Sequence, residues 1–165
     1  METLEKVKTD AKELLIANEK EANFLLNSPD LKLVSLSGND LFELQQAVQK
    51  TLSTSVSIKG EYVRFFLDNL QLFDPVVLPL VELHGKVINE FASKKEDGSP
   101  KRDENGFLFD SEELEKKYHT SSEKIWGEVV NVYVKTIDLK KFDQINFNMK
   151  ENNTVYLIIK WLTKN

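Results

Sequence analysis

Residues 74–128 constrain the fold more than any other stretch of the chain. Val77, Leu80, Val81, Val87, Ile88 and Phe91 recur mostly three and four residues apart, with His84 on the same stripe. That spacing puts them on one buried face of an amphipathic helix. Leu114, Tyr118, Ile125 and Val129 repeat the pattern, and residues 93–110 between the two arms are rich in Lys, Asp, Glu, Gly and Pro. Two apolar-faced helices joined by a polar tip can bury their stripes against each other. An antiparallel helical hairpin is therefore expected.

The flanks supply what such a hairpin needs at its open end. Residues 31–36 alternate apolar and polar, and the β-branched run at 129–139 is the clearest strand in the chain. Paired, they form a small sheet at the hairpin's base. Between them, residues 41–52 place Leu41, Leu44, Val48 and Leu52 on one side of a helix, with Asn39 or Asp40 as its cap. A further helix runs from Val56 or Ile58 to Phe73. Its aromatic stripe, Tyr62, Phe65, Phe66 and Phe73, reads as core. Asp74-Pro75 and Pro79 predict a break or kink near residues 73–79. In the tip, Asn105-Gly106 suits positive φ, Phe107 and Phe109 suggest a small hairpin or an apolar plug, and Asp110 or Ser111 caps the second arm. Residues 139–145 read as one or two helical turns, and 154–162 as a helix with Asn153 as cap. Residues 3–28 form a long amphipathic helix striped by Leu4, Val7, Ala11, Leu14 or Leu15, Ala22, Leu25 and Leu26. The expected class is α+β, mostly α, divided into an N-terminal helix at 1–28 and a helical-hairpin domain at 31–165.

Composition narrows the function classes. In 165 residues, 41% are hydrophobic and 30% charged, which supports one core under a well-solvated surface. A net charge of −5 argues against broad binding to a phosphate backbone, so nucleic acid is not an expected partner. The chain has no cysteine, which removes disulfides and thiolate metal sites and fits a reducing compartment. No apolar run approaches the roughly 20 residues of a membrane span. The charged start, Met1-Glu-Thr-Leu-Glu-Lys6, does not read as a signal peptide.

Few residues form a pattern that carries chemistry. His84 and His119 lie one on each arm at similar distances from the tip, so they could meet and, with Glu82, Glu115 or Glu123, hold zinc. No His-Glu-x-x-His pair fixes two ligands on one turn, and hydrogen-bonded interface histidines are the preferred reading. Asp103, Asn105, Gly106, Leu108 and Glu112 match positions of a calcium loop, but Lys101 stands where its first carboxylate belongs. Thr120-Ser121-Ser122 beside His119 lies on a helix, without a strained nucleophile turn. Lys94-Lys95 and Lys101-Arg102 are balanced by Glu96, Asp97, Asp103 and Glu104. No phosphate loop or dinucleotide fingerprint occurs. Neither a catalytic residue nor a cofactor is assigned. The candidate partner contacts are the apolar and aromatic anchors Leu4, Val7, Leu14, Phe42, Trp126 and Trp161.

The order of these elements resembles an uncharacterised family of small tailed-bacteriophage helical-hairpin proteins. The matching stretches are Leu41-Phe-Glu-Leu-Gln-Gln-Ala-Val48, Phe73-Asp-Pro75, Asp103-Glu-Asn-Gly106, Trp126-Gly-Glu-Val-Val-Asn-Val-Tyr-Val134 and Ile137-Asp-Leu139, within residues 31–162. Two prolines in the first arm and a Lys-rich exit depart from the family pattern. The resemblance implies a non-enzymatic, phage-encoded protein, a virion component or assembly factor. Its partners would be other phage structural or assembly proteins, a second copy included, in the host bacterial cytoplasm and the virion. The alternative is an inhibitor of a host defence protein or host enzyme, since a small acidic helical protein can mask a basic channel by charge.

Overall fold

The computed structural model describes residues 30–54, 59–142 and 152–164. Five helices dominate these residues, with small two-stranded sheets between them. The chain divides into two compact units, residues 1–77 with 129–165 and residues 78–128. The expected N-terminal helix at 3–28 lies outside the described residues.

In the first unit, β1 (Leu31–Ser37) leads into α1 (Gly38–Thr54), and the first part of α2 (Gly60–Phe91) follows. The strand ends where Ser37 Oγ accepts the Asp40 amide at 3.1 Å. The cap is therefore Ser37, not Asn39 or Asp40. Asp40 instead sits in the first turn, where its charge suits the helix dipole. A hydroxyl one residue past an apolar strand looks like strand in sequence; only its hydrogen bond marks it as a cap.

Of the break or kink expected near 73–79, the break is absent: the helix is continuous from Gly60 to Phe91. Pro75 removes the bond to the carbonyl of Gln71, and Gln71 lies on the exposed side of α2, where water can take that acceptor. Phe73 and Val77, both essentially inaccessible, hold the helix to the core on either side of the step. Asp74, a candidate cap in sequence, instead accepts a 2.7 Å bond from Gln45 Nε2 of α1.

After the second unit the chain returns as β4 (Val129–Lys135), β5 (Ile137–Asp138), the short α4 (Leu139–Phe142), α5 (Asn152–Leu162) and β6 (Thr163–Lys164). The expected strand pairing is present. β1 and β4 are antiparallel, with Val34 opposite Val132 and Leu36 opposite Val130. These side chains form the buried face, while Ser35 and Asn131 bond across the other. β5 and β6 pair in parallel. The core gathers Leu41, Leu44 and Val48 of α1, Phe65, Phe66 and Phe73 of α2, and Ile158 and Leu162 of α5. Burying each such side chain contributes about 1.5–3 kcal/mol.

A polar clamp joins α2 to the end of β4. Asn69 Oδ1 accepts the Lys135 amide at 2.9 Å, and its Nδ2 donates to the Lys135 carbonyl at 3.1 Å. The amide side chain thus takes the place of a neighbouring strand, satisfying two backbone groups that burial would otherwise leave costly. Beside it, Asp68 is buried between Arg64 and Lys135, both at 2.7 Å.

The second unit holds Leu78–Phe91 of α2, the tip with β2 (Arg102–Asp103) and β3 (Gly106–Phe107), and α3 (Glu112–Gly127). Leu80 and Val87 pack with Ile125, flanked by Leu83, Phe91, Tyr118 and Trp126. Val81 belongs to the predicted stripe but is 41% exposed, because its position turns it off the buried sector that Leu80 occupies. Ser111 caps α3, as expected, accepting the Leu114 amide. The tip is a small β-hairpin whose Asp103 carboxylate accepts the amides of Asn105 and Gly106. Gly106 has φ of 134°, whereas Asn105 stays at negative φ, so one residue alone carries the unusual backbone of the turn.

Candidate functional site

The aromatic side chains of the second unit form a connected row. His84 of α2 meets the Trp126 ring edge-on at 5.5 Å between centroids, and the Tyr118 ring at 5.9 Å. The Tyr118 hydroxyl and His84 Nε2 lie 3.3 Å apart. Tyr118 in turn packs on Phe109 at 5.0 Å and Phe107 at 6.1 Å, and the Arg102 guanidinium lies 3.9 Å over the Phe107 ring. Edge-on and tilted rings at such spacings set the positive ring edge against the negative face. Apart from Arg102, these side chains are all partly buried. Burial pushes the His84 pKa below its ordinary value, because the imidazolium is harder to desolvate than the neutral ring. Neutral His84 therefore acts here as a hydrogen-bonding, ring-packing group.

The two histidines do not share this row's interior. His119 is 60% exposed, and its Nε2 faces Glu115 at 3.8 Å, one turn earlier on α3. Its ring touches the outer side of Tyr118 at 5.3 Å and Phe109 at 6.5 Å, but helical rotation turns it to solvent, so similar height on the two arms is not enough to bring the imidazoles together. Among the described residues, no three His, Asp or Glu side chains gather as a metal would require. The calcium-like spacing at the tip is likewise spent on the turn, since Asp103 is bonded to two backbone amides. Asp97 is a parallel case. Its bonds from the Ser99 hydroxyl and amide hold the carboxyl below the usual range.

The candidate contact residues fall in different settings. Leu4, Val7 and Leu14 lie outside the described residues. Phe42 is half-buried on α1 and lines an open groove of about 650 Å3 with Gln46, Lys50 and Leu157. Trp161 packs half-buried against the core of the first unit, with Lys160 Nζ 4.6 Å over its ring. Its indole N–H is shielded from solvent without an acceptor among the described residues. Trp126 stands in the aromatic row, in the other unit. No single surface of either unit collects all three.

Sequence reasoning missed an apolar strip on the open side of α2. Leu78 is 56% exposed, and Val81 and the half-buried Ile88 continue from it past Gly85. The signal was present. Leu80-Val81 and Val87-Ile88 are doubled apolar positions, which widen a helix's apolar sector beyond what one neighbour can cover. No helix among the described residues is long and apolar enough to cross a membrane. Comparison of the chain with protein-family models, with curated proteins and with solved structures finds no match.

Proposed function

We propose that this chain is a non-enzymatic, phage-encoded protein, a virion component or assembly factor, that works by protein–protein contact. In this reading residues 74–128 are an antiparallel helical hairpin. The packing of Leu80 and Val87 on Ile125 supports that arrangement, as does the groove that Phe91 shares with Glu113 and Lys117 near the start of α3. The observation that carries the functional reading is the partly buried row Trp126–His84–Tyr118–Phe109. Aromatic side chains packed at one edge and open at the other are the residue types that anchor protein interfaces. The order strand, helix, long helix, turn, helix, strand is the pattern on which the resemblance to the small tailed-phage family rests.

Quantitative mass spectrometry of purified particles and assembly intermediates tests the proposal. Its expected result is a fixed copy number in one or both. Absence from both sinks it. Recovery of the chain with a single host protein instead would favour the inhibitor of a host defence protein or host enzyme.

A further inference from the structure

The open side of the second unit combines three features that the aromatic row alone does not explain. The first is the apolar strip. Val81 and Ile88 lie three residues before and four after His84, so they border it on α2, and Trp126 packs on His84 from α3. The second is Gly85, in the interior of a 32-residue helix toward its C-terminal end. Glycine weakens a helix interior. Here a Cβ would meet nothing within 4 Å, so no packing among the described residues requires its absence. What a bare helix backbone between Val81 and Ile88 does permit is close approach by something from outside.

The third feature is a division of charge on α3. Glu112, Glu115, His119, Glu123 and Trp126 follow one another at intervals of three and four and share one row. Lys117 and Lys124 lie on the opposite flank, where Lys117 pairs with Glu113 at 2.7 Å. Lys116, four residues after Glu112 and three before His119, borders the row on its outer side, so the flank beside Trp126 is mainly acidic and the other flank mixed. Residues 78–128 as a whole hold twelve Asp and Glu against eight Lys and Arg.

We infer that this side docks a basic amphipathic helix of another protein: its apolar stripe would lie over Val81, Gly85 and Ile88 against Trp126, and its Lys and Arg would face the Glu row. Charge selects this occupant over the two nearest alternatives. A second copy would bring two acidic rows to one interface. The chain's own residues 1–28 carry six acids and four lysines, which do not complement the row. The inference rests on the reading that the protein works by binding another protein, and names the face and the chemistry of what it takes.

The test uses the full chain and two labelled model peptides of about 18 residues, long enough to form a helix. One is built of Leu and Lys at helical spacing; the other is identical with Glu for Lys. Fluorescence anisotropy should show the basic peptide binding at least about tenfold tighter than the acidic one. Gly85→Leu should weaken that binding about tenfold while leaving the circular dichroism intact, since leucine suits a helix better than glycine. Replacing Glu112, Glu115 and Glu123 together by Lys should invert the preference. Equal binding of both peptides, or variants that bind like the parent chain, would overturn the inference. So would a dimer in sedimentation velocity that Gly85→Leu dissolves, because it would put a second copy on the face. Particle incorporation separates this from the broader reading. A Gly85→Leu chain incorporated at the normal copy number sinks the docking face alone, and peptide binding by a chain absent from particles sinks the phage role alone.

Discussion

Among the described residues the first unit encloses four aromatic rings, Tyr62, Phe65, Phe66 and Phe73, and the second encloses none. Phe65, Phe66 and Phe73 lie in a cluster to which α1, α2, α5, β1 and β4 all contribute. In the second unit the buried apolar cluster is Leu80, Val87 and Ile125, and Trp126, Tyr118 and Phe91 only lean on it. The same residue types therefore do different jobs. Where several elements converge, an aromatic ring is enclosed and stabilises the fold. Where two helices and a short hairpin meet, there are too few neighbours to enclose it, and part of each ring stays exposed. Stability should be concentrated in the first unit and recognition in the second.

The largest effect tests the first half of that contrast. Phe73→Ala should cost about 3–5 kcal/mol, because the side chain is completely enclosed (0% exposed) and its neighbours come from several elements that cannot all close in. Urea unfolding would read it as a lowered midpoint. Ile125→Ala should cost less, about 2–3 kcal/mol, since half-open rings around it can relax into the gap. Its signature is local. Hydrogen exchange should accelerate in Leu78–Phe91 and α3 while the amides of α1 keep their protection. Equal losses in both units would mean they do not differ in the way proposed.

Asn69→Ala sharpens the comparison from the polar side, at about 1–2 kcal/mol. It leaves the Lys135 amide and carbonyl without the partners that Asn69 now provides. The measurement is exchange at Lys135 and along β4, which should rise together with the loss of stability. The second unit has no clamp of this kind among its described residues. Its cross-element polar contacts, such as Ser93 Oγ to Asp110 at 2.6 Å, hold the tip rather than a strand to a helix.

What could be read in sequence follows the same division. Periodicity located the helices and both long strands, because burial on one side writes a repeating pattern whatever the partner. Tyr62, Phe65, Phe66 and Phe73 were recognisable as core, and Ser111 as a cap. What periodicity could not resolve was the breadth of a face. Val81 and Leu80 are neighbours in sequence and nearly equal in hydrophobicity, yet one is exposed and the other enclosed, because the second unit offers α2 a single opposing helix. Pro75 shows the reverse limit. Proline's local preference argued for a break, and the enclosed Phe73 and Val77 on either side outweigh it. The histidine pair failed for a rotational reason, since counting from the tip gives height along a helix and not direction around it. Ser37 and Asn69 were invisible because their roles depend on partners brought together only by folding: Ser37 by the turn into α1, Asn69 by a strand sixty-six residues away.

The smallest expected effect concerns the pH response of the two units. His84 is held neutral by burial in the folded chain, with its pKa below the unfolded value of about 6.5. Between those two values the unfolded chain binds the proton that the folded chain refuses, so stability rises with pH there. The contribution is complete above the unfolded pKa and is lost as pH falls through the folded one. Lys117 and His119 beside Tyr118, Asp110 beside Phe109, and Glu82 and Lys86 two residues either side of His84 are the charged or titratable neighbours nearest in sequence to the row. None of them lies within the ring contacts of His84, which are Tyr118 and Trp126. Exchange in Leu78–Phe91 and α3 should therefore quicken modestly between about pH 7.5 and pH 5.5. The first unit has no histidine among its residues, and the amides of α1 should show no such change beyond the intrinsic pH dependence of exchange. His84→Gln should keep the packing and remove the difference. If the pH response survives that substitution, His84 is not its source, and the half-buried row does not sense protons.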